Sequence, residues 1–371
     1  MTHEDHMRRA LELAKRGMGF TSPNPMVGAV IVRDGKVIGE GWHKKYGELH
    51  AERTAFAYCA ENGIDCTGAD MYVTLEPCCH HGKQPPCTEA VIEHGIKRVF
   101  IGSADPNPLV AGKGVKILRE HGIEVAENVL REECDAINEI FFHYITTKRP
   151  FVTMKYAMTM DGKIACYTDE SKWITGEEAR QFVQHERLRH SAIMVGIGTV
   201  LADDPLLTCR LENGRDPIRI IVDSNLRLPE NSNIVRTADK VPTIVAAVSG
   251  DKNKEEMLRK HGIKVIYTPS TNGKVDLNEL MRILGEEMKI DSILLEGGAE
   301  LNWSALNSGI VTKVQAYIAP KIFGGIKAKS PVGGIGVDTP DSAFFLEEPV
   351  YRHFGTDLMI ESRVRYVHRN S

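Results

Sequence analysis

The chain has 371 residues, a formal net charge of −4 at pH 7, 42% hydrophobic residues and 26% charged ones. That is the make-up of a globular protein with room for two cores, and the mild acidity argues against a dedicated nucleic-acid-binding surface. No apolar run approaches the roughly 20 residues that span a bilayer, Met1–His6 is not a basic-then-apolar leader, and eight cysteines over this length are no disulfide framework, so the expected setting is cytoplasmic with no membrane partner.

Met7, Ala10, Leu11 and Ala14 recur at helical spacing, which predicts a helix over 4–16 stopped by Gly17. Thr21–Pro25 is a loop stiffened by two prolines, and residues 27–32 and 36–40, split by Asp34-Gly35, predict a β-hairpin. Helices are expected over 51–61, 88–94 and 114–121, strands over 71–75 and 98–102, and one helical run over 132–145. This β/α alternation packs helices on a sheet. Thr146-Thr147-Lys148-Arg149-Pro150 marks a boundary, giving domains 1–147 and 148–371. Beyond it the pattern restarts. Strands are expected at 151–158, 192–196, 218–222, 243–248, 264–267, 292–295 and 313–318, and helices at 177–189, 254–260 and 277–288.

The chemistry gathers in the first domain. His50-Ala51-Glu52 opens a predicted helix, Pro77-Cys78 follows a strand, and Cys87 directly precedes another helix. One imidazole and two thiolates fill three of zinc's four tetrahedral positions and leave the fourth for water, the arrangement of a catalytic rather than a structural site. H-x-E, then P-C, then a later Cys is the pattern of zinc deaminases acting on nucleobases, with Glu52 as proton carrier. The plain alternative is a helix-capping His50 beside core or structural cysteines. Eight residues separate Cys78 from Cys87, and Cys79, His80 and His81 inside that gap compete as ligands. Adjacent cysteines fit one tetrahedral metal poorly, which favours Cys87. The remaining histidines, His43 among them, lack ligand spacing and read as ordinary surface or core residues.

Other polar residues near these motifs could bind a small ligand. Asn24 sits in the proline-stiffened loop, and His80 and Lys83 lie between the two thiolates, with Lys83 suited to a phosphate. Asp105 and Asn107 sit in a rigid Asp-Pro-Asn-Pro turn after a strand. A turn-forming Asn and a solvated Lys are the bland readings of Asn24 and Lys83.

Several stretches together resemble the bifunctional deaminase–reductase family of riboflavin biosynthesis: Thr21–Gly28 (TSPNPMVG), His50–Glu52 (HAE), Glu76–Thr88 (EPCCHHGKQPPCT), Asp105–Gly114 (DPNPLVAGKG), Lys155–Lys163 (KYAMTMDGK), Ser171–Thr175 (SKWIT) and Glu296–Gly298 (EGG). The long cysteine gap is that family's own version of the deaminase motif, and Cys79 departs from it where the family carries a non-ligand such as Ser. The resemblance implies an α/β protein: an N-terminal cytidine-deaminase-like three-layer α/β/α domain and a C-terminal dihydrofolate-reductase-like α/β domain. It implies zinc-dependent deamination of 2,5-diamino-6-(5-phosphoribosylamino)pyrimidin-4(3H)-one, then NADPH-dependent reduction of the ribosyl unit.

Further site residues follow from the resemblance. Gly297, Gly298, Ala299, Glu300, Leu301, Asn302, Trp303 and Ser304 would cradle NADPH, with Ala157, Trp173, Thr199, Asp203 and Ser224 nearby. Ser171, Arg187, Leu207, Arg210 and Glu296 would hold substrate, the arginines at its phosphate. Lys155, Asp203 and Glu296 would stand closest to hydride transfer. No G-x-G-x-x-G follows a strand, which speaks against a Rossmann domain but not against NADPH. Two rivals remain: a tRNA or nucleoside deaminase fused to an unrelated domain, and a zinc-stabilised binding module. A chain of this size is expected to form a symmetric homo-oligomer.

Overall fold

The computed structural model describes residues 1–366. Two compact units emerge from its internal contacts, Met1–Lys148 and Arg149–Ser371. Each has its own sheet and core.

In the first unit, β1 (Gly28–Arg33) and β2 (Lys36–Trp42) form an antiparallel hairpin. Asp34 and Gly35 turn it with φ of 50° and 74°, the left-handed pair that a two-residue hairpin requires. β1 also pairs antiparallel with β3 (Asp70–Leu75), and β4 (Arg98–Ser103) and β5 (Glu124–Ala126) continue in parallel, giving the order β2-β1-β3-β4-β5. Strand alternation sends Ala29, Ile31, Met71, Val73, Val99 and Ile101 to one face, against α2 (Ala51–Glu61), α3 (Cys87–Glu93) and α4 (Lys113–Glu120). Val30, Val32, Tyr72 and Phe100 point the other way, towards α1 (His3–Lys15) and Cys134 of α5 (Arg131–Ile137). The result is three layers, α/β/α. Gly41 of β2 lets the start of α2 lie flush on the sheet: a Cβ there would collide with Ala51 O and Ala55 N.

The helical run expected over 132–145 divides at Asn138 into α5 and α6 (Glu139–Thr147). The Asn138 side chain is buried and clasps the backbone of Met26, accepting from its N–H at 2.8 Å and donating to its carbonyl at 2.9 Å. A tertiary bond of this kind leaves no periodic trace.

The second unit is built on a nine-stranded sheet. β6 (Phe151–Thr159), β7 (Ala192–Gly196), β8 (Ile218–Val222), β9 (Thr243–Ala247), β10 (Lys264–Tyr267), β13 (Ser292–Leu295), β14 (Lys313–Ala319), β15 (Phe345–Phe354) and β16 (Asp357–Arg365) stand in the order β10-β9-β8-β7-β13-β6-β14-β16-β15. β11 (Ser270–Thr271) and β12 (Lys274–Val275) form a separate small ribbon. The large sheet is parallel as far as β14 and antiparallel through the final hairpin. Its helices are α7 (Glu177–Arg189), α8 (Ile197–Asp203), α9 (Asn233–Arg236), α10 (Lys252–Lys260), α11 (Leu277–Arg282) and α12 (Ala299–Asn307), with α11 running on into a π-turn over Ile283–Glu287. Met194, Ile220, Ile244, Ile293 and Leu295 fill the core on one face of the sheet, and Ile193, Val195, Ile221 and Val245 on the other. The hairpin β15–β16 is not signalled in sequence because β15 is an exposed edge with no apolar alternation.

Candidate active sites

The first site forms where three elements of the first unit end together. His50 is the N-cap of α2 and Glu52 lies in its first turn, β3 runs out into Glu76-Pro77-Cys78, and α3 begins at Cys87. His50 Nδ1 lies 3.5 Å from Cys78 Sγ and 3.4 Å from Cys87 Sγ, and all three donor atoms fall within 4.8 Å of one another. One imidazole and two sulfurs at this mutual spacing fit the N/S donor set of a zinc ion with an open position. Cys79 is turned away: its thiol points at Leu109 O, 3.7 Å distant. His81 likewise stands outside the cluster.

Charge is arranged around these atoms. The hydrogen bond from the Cys87 thiol pulls Cys78 down to about 4, assisted by His50, while the same bond and burial push Cys87 up. Glu52 is only 3% exposed, and burial with the neighbouring Cys78 charge raises its carboxyl. A carboxyl poised above its ordinary range is suited to accepting and releasing a proton near neutrality.

A cavity of about 300 Å³ opens beside the cluster, and Asn24, His50, Glu52, Cys78, His80, Lys83, Asp105 and Asn107 all line it. His80 Nδ1 is buried with no hydrogen-bond partner among the described residues. Burial raises Asp105 to about 6, although its Oδ1 accepts from Asn107 N at 2.8 Å.

Two lining residues escape the sequence reading. His43 is buried, accepts or donates at Asn24 Nδ2 through Nε2 (3.2 Å), and meets Leu49 O through Nδ1 (3.0 Å). Since a carbonyl only accepts, Nδ1 carries the proton and Nε2 accepts from the Asn24 amide. Glu76 is buried, and its carboxylate accepts from the N–H groups of Gly112 (3.0 Å), Gly114 (3.0 Å), Val115 (3.3 Å) and Asp105 (3.5 Å). It thereby ties the Asp105–Gly114 loop to the strand end that carries Cys78. The position of Glu76 immediately before Pro77-Cys78 is the only sequence signal it gave.

The second site lies at the strand ends of the second unit. Arg187 of α7 grips Glu296, just past β13, with Nε to Oε1 at 3.0 Å and Nη2 to Oε2 at 2.9 Å. Arg187 Nη1 donates to Thr208 O at 2.8 Å. Lys155 of β6 carries its ammonium 5.6 Å from the Tyr317 ring centre. Burial lowers Lys155, against the pull of Glu296. Burial also works to raise Glu296, but the Arg187 and Lys155 charges overcome it and hold the carboxyl at about 2. Arg187, expected at the substrate's phosphate, makes these bonds to Glu296 and Thr208. Asp203 was expected beside Lys155 and Glu296; it is exposed at the end of α8, and among the described residues no hydrogen bond or ion pair joins it to that group.

The expected cofactor residues fall in two clusters and some outliers. α12 starts at Gly298 and α8 at Gly196, above adjacent strands, and a Cβ on Gly298 would lie 3.6 Å from Thr199 Oγ1. A Cβ on Gly297 would stand 2.7 Å from Asn302 Oδ1, a buried acceptor without a partner among the described residues. Bare backbone at a helix start fits a pyrophosphate group. Leu301 packs by Gly196, and Trp303 lies edge-on to Phe344 at 5.9 Å. Glu300 meets Lys274 Nζ at 3.5 Å, and Ser304 Oγ donates to Glu300 O. Ser224 Oγ accepts from Val275 N at 3.2 Å, Ala157 lies on β6, and Trp173 is 57% exposed with the Arg180 guanidinium 4.7 Å above it. Leu207 is buried at φ 56°, Ser171 is half-buried, and Arg210 is exposed.

A zinc-type deaminase centre on one sheet and a reductase-type α/β sheet beyond it in the chain define a two-domain deaminase–reductase. Residues 1–103 match the family model for the cytidine and deoxycytidylate deaminase zinc-binding region, and residues 150–360 match the RibD C-terminal domain. The chain belongs to the RibD family of bifunctional riboflavin biosynthesis proteins. It is 55% identical to the riboflavin biosynthesis protein RibD of Actinobacillus pleuropneumoniae, over 97% of this chain and 95% of that one. Among solved structures it resembles Acinetobacter baumannii RibD (TM-score 0.85, 35% identity, 98% and 99% of the two chains). It also resembles the diaminohydroxyphosphoribosylaminopyrimidine deaminase/5-amino-6-(5-phosphoribosylamino)uracil reductase of Thermotoga maritima (TM-score 0.84, 39% identity, 98% and 99%). Its cofactors are accordingly zinc and NADPH.

Proposed function

We propose that the first domain, residues 1–147, deaminates 2,5-diamino-6-(5-phosphoribosylamino)pyrimidin-4(3H)-one, and that the second, residues 148–371, reduces the resulting 5-amino-6-(5-phosphoribosylamino)uracil to its ribitylamino phosphate. The observation that carries this reading is the convergence of His50, Cys78 and Cys87 beside a cavity that also holds Glu52, His80, Lys83, Asp105 and Asn107.

His50, Cys78 and Cys87 would hold the zinc, which when bound would supply a Lewis acid able to make water nucleophilic near neutral pH. Glu52 takes one proton of the attacking water on its carboxylate and gives it to the ring nitrogen, then takes the second proton from the new hydroxyl and gives it to the departing amine, so that one C–O bond forms, one C–N bond breaks and ammonia leaves. Asn24, Asp105 and Asn107 hydrogen-bond the ring and ribose. His80 orients the substrate through its unpartnered nitrogen, and Lys83 faces the phosphate.

In the reductase site the backbone of Gly297 and Gly298, with the residues to Ser304, receives NADPH, assisted by Ala157, Trp173, Thr199 and Ser224; NADPH supplies the hydride. Lys155 holds the proton that must accompany it, and Glu296, fixed as a carboxylate by Arg187, orients that ammonium and the substrate. Ser171, Leu207 and Arg210 complete the substrate wall. Asp203, exposed on α8, is assigned to the cofactor side.

The substrate is a small phosphorylated pyrimidine and the setting cytoplasmic; no helix among the described residues is long and apolar enough to cross a membrane. Exposed Leu346, Val350 and Tyr351 on the edge strand β15 support a homo-oligomer. Metal analysis, followed by incubation of the proposed substrate with and without NADPH, tests the reading: ammonia without NADPH, and NADPH oxidation only after deamination, are expected.

A further inference from the structure

Tyr46 shares the rim of the first cavity with Lys83. The Lys83 ammonium sits 4.1 Å from the centre of the Tyr46 ring, inside the range of a cation–π contact. Three backbone features keep the two together. Tyr46 N donates to Phe20 O at 3.0 Å, which fixes the root of the ring. Gln84 Nε2 donates to Gly47 O at 3.1 Å, which ties the residue after Lys83 to the residue after Tyr46. Gly47 holds φ 89°, and the space a Cβ would take there lies 3.7 Å from Lys83 Cδ, so the lysine stem runs past this glycine.

Lys83 is exposed and has no ion pair with any carboxylate among the described residues. A carboxylate in the ring's place would neutralise the charge. An aromatic face instead restricts a side chain with large rotamer freedom while leaving its positive charge available. That is preorganisation for an anion, not storage of a salt bridge.

We propose that Tyr46 is a positioning residue for Lys83 and sets the preference for a substrate that bears a phosphate. The inference rests on the reading of Lys83 as the phosphate-facing cation. The zinc-loaded full-length chain is assayed for ammonia release with the phosphorylated pyrimidine and with its phosphatase-treated form, for wild type, Tyr46→Phe, Tyr46→Leu and Lys83→Met. Tyr46→Leu is expected to raise KM for the phosphorylated substrate about two- to fivefold, with kcat little changed and no KM change for the dephosphorylated form. Tyr46→Phe keeps the ring and is expected to match wild type. Equal KM changes for both substrates in Tyr46→Leu, a fall confined to kcat, or a Tyr46→Phe that behaves like Tyr46→Leu overturns the proposal. If Lys83→Met loses phosphate preference while Tyr46→Leu keeps it, the Tyr46 role alone is wrong. If Lys83→Met keeps that preference, the phosphate reading of Lys83 falls and this inference with it.

Discussion

Arg187 meets Glu296 side-on through two parallel hydrogen bonds of 3.0 and 2.9 Å, and the carboxylate held in this way pulls on the charge of the buried Lys155 ammonium. A planar fork facing a carboxylate fixes direction as well as charge. Lysine at 187 keeps the charge and loses the fork. We expect Arg187→Lys to lower reductase kcat/KM about 10- to 100-fold, the equivalent of about 1.5–3 kcal/mol for a charged hydrogen bond, with ammonia release unchanged. Equal losses of both activities in a folded protein would contradict the separation of the two sites.

The same pair makes stability depend on pH. Glu296 titrates at about 2 when folded, against an ordinary 4.5, because Arg187 and Lys155 outweigh burial. A depressed carboxyl stabilises the fold fully above about pH 4.5, and that contribution drains away as pH falls towards 2. The shift corresponds to about 3 kcal/mol. Urea unfolding between pH 7 and pH 3 is expected to show a steeper acid loss in wild type than in Glu296→Gln; parallel curves would remove Glu296 as the cause.

Glu76 gathers four backbone N–H groups of the Asp105–Val115 segment. Glutamine offers one acceptor and turns an N–H₂ donor towards the rest. Glu76→Gln is expected to raise KM for deamination severalfold and to cost about 1–3 kcal/mol of stability, with reductase kinetics intact. Steady-state assays of the two reactions on one preparation check this.

Arg219 is fully buried and forms no ion pair with a carboxylate among the described residues. Its guanidinium donates to Thr243 Oγ1 (2.9 Å), Thr237 Oγ1 (2.7 Å), and the carbonyls of Ile234 (2.9 Å), Val241 (3.1 Å) and Leu206 (3.3 Å), and burial lowers it to about 10. Arg219→Met strands the Ile234 and Leu206 carbonyls and is expected to destabilise the second unit by about 3 kcal/mol, read as an earlier unfolding transition in urea.

Much of the first site was legible because zinc chemistry dictates residue types at short spacings. His50, Glu52, Cys78 and Cys87 carry their meaning in order along the chain, and helix and strand periodicity placed them on element ends. What stayed hidden depends on partners remote in sequence. Arg187 and Glu296 are more than a hundred positions apart, so nothing local announces that Arg187 grips the Glu296 carboxylate. His43 looked ordinary because its role runs through Asn24, not through a metal. Asn138 broke a helix by bonding Met26, 112 residues away. β15 escaped because an exposed edge strand needs no alternation.

The most direct test of the account is Glu52→Gln in the full-length chain, with metal content and ammonia release measured on the same sample without NADPH. Glutamine keeps the shape of Glu52 and cannot carry its proton. The account predicts zinc retained at the wild-type level and ammonia release reduced by about 100- to 10,000-fold. Ammonia release at the wild-type rate, with zinc bound, would contradict it.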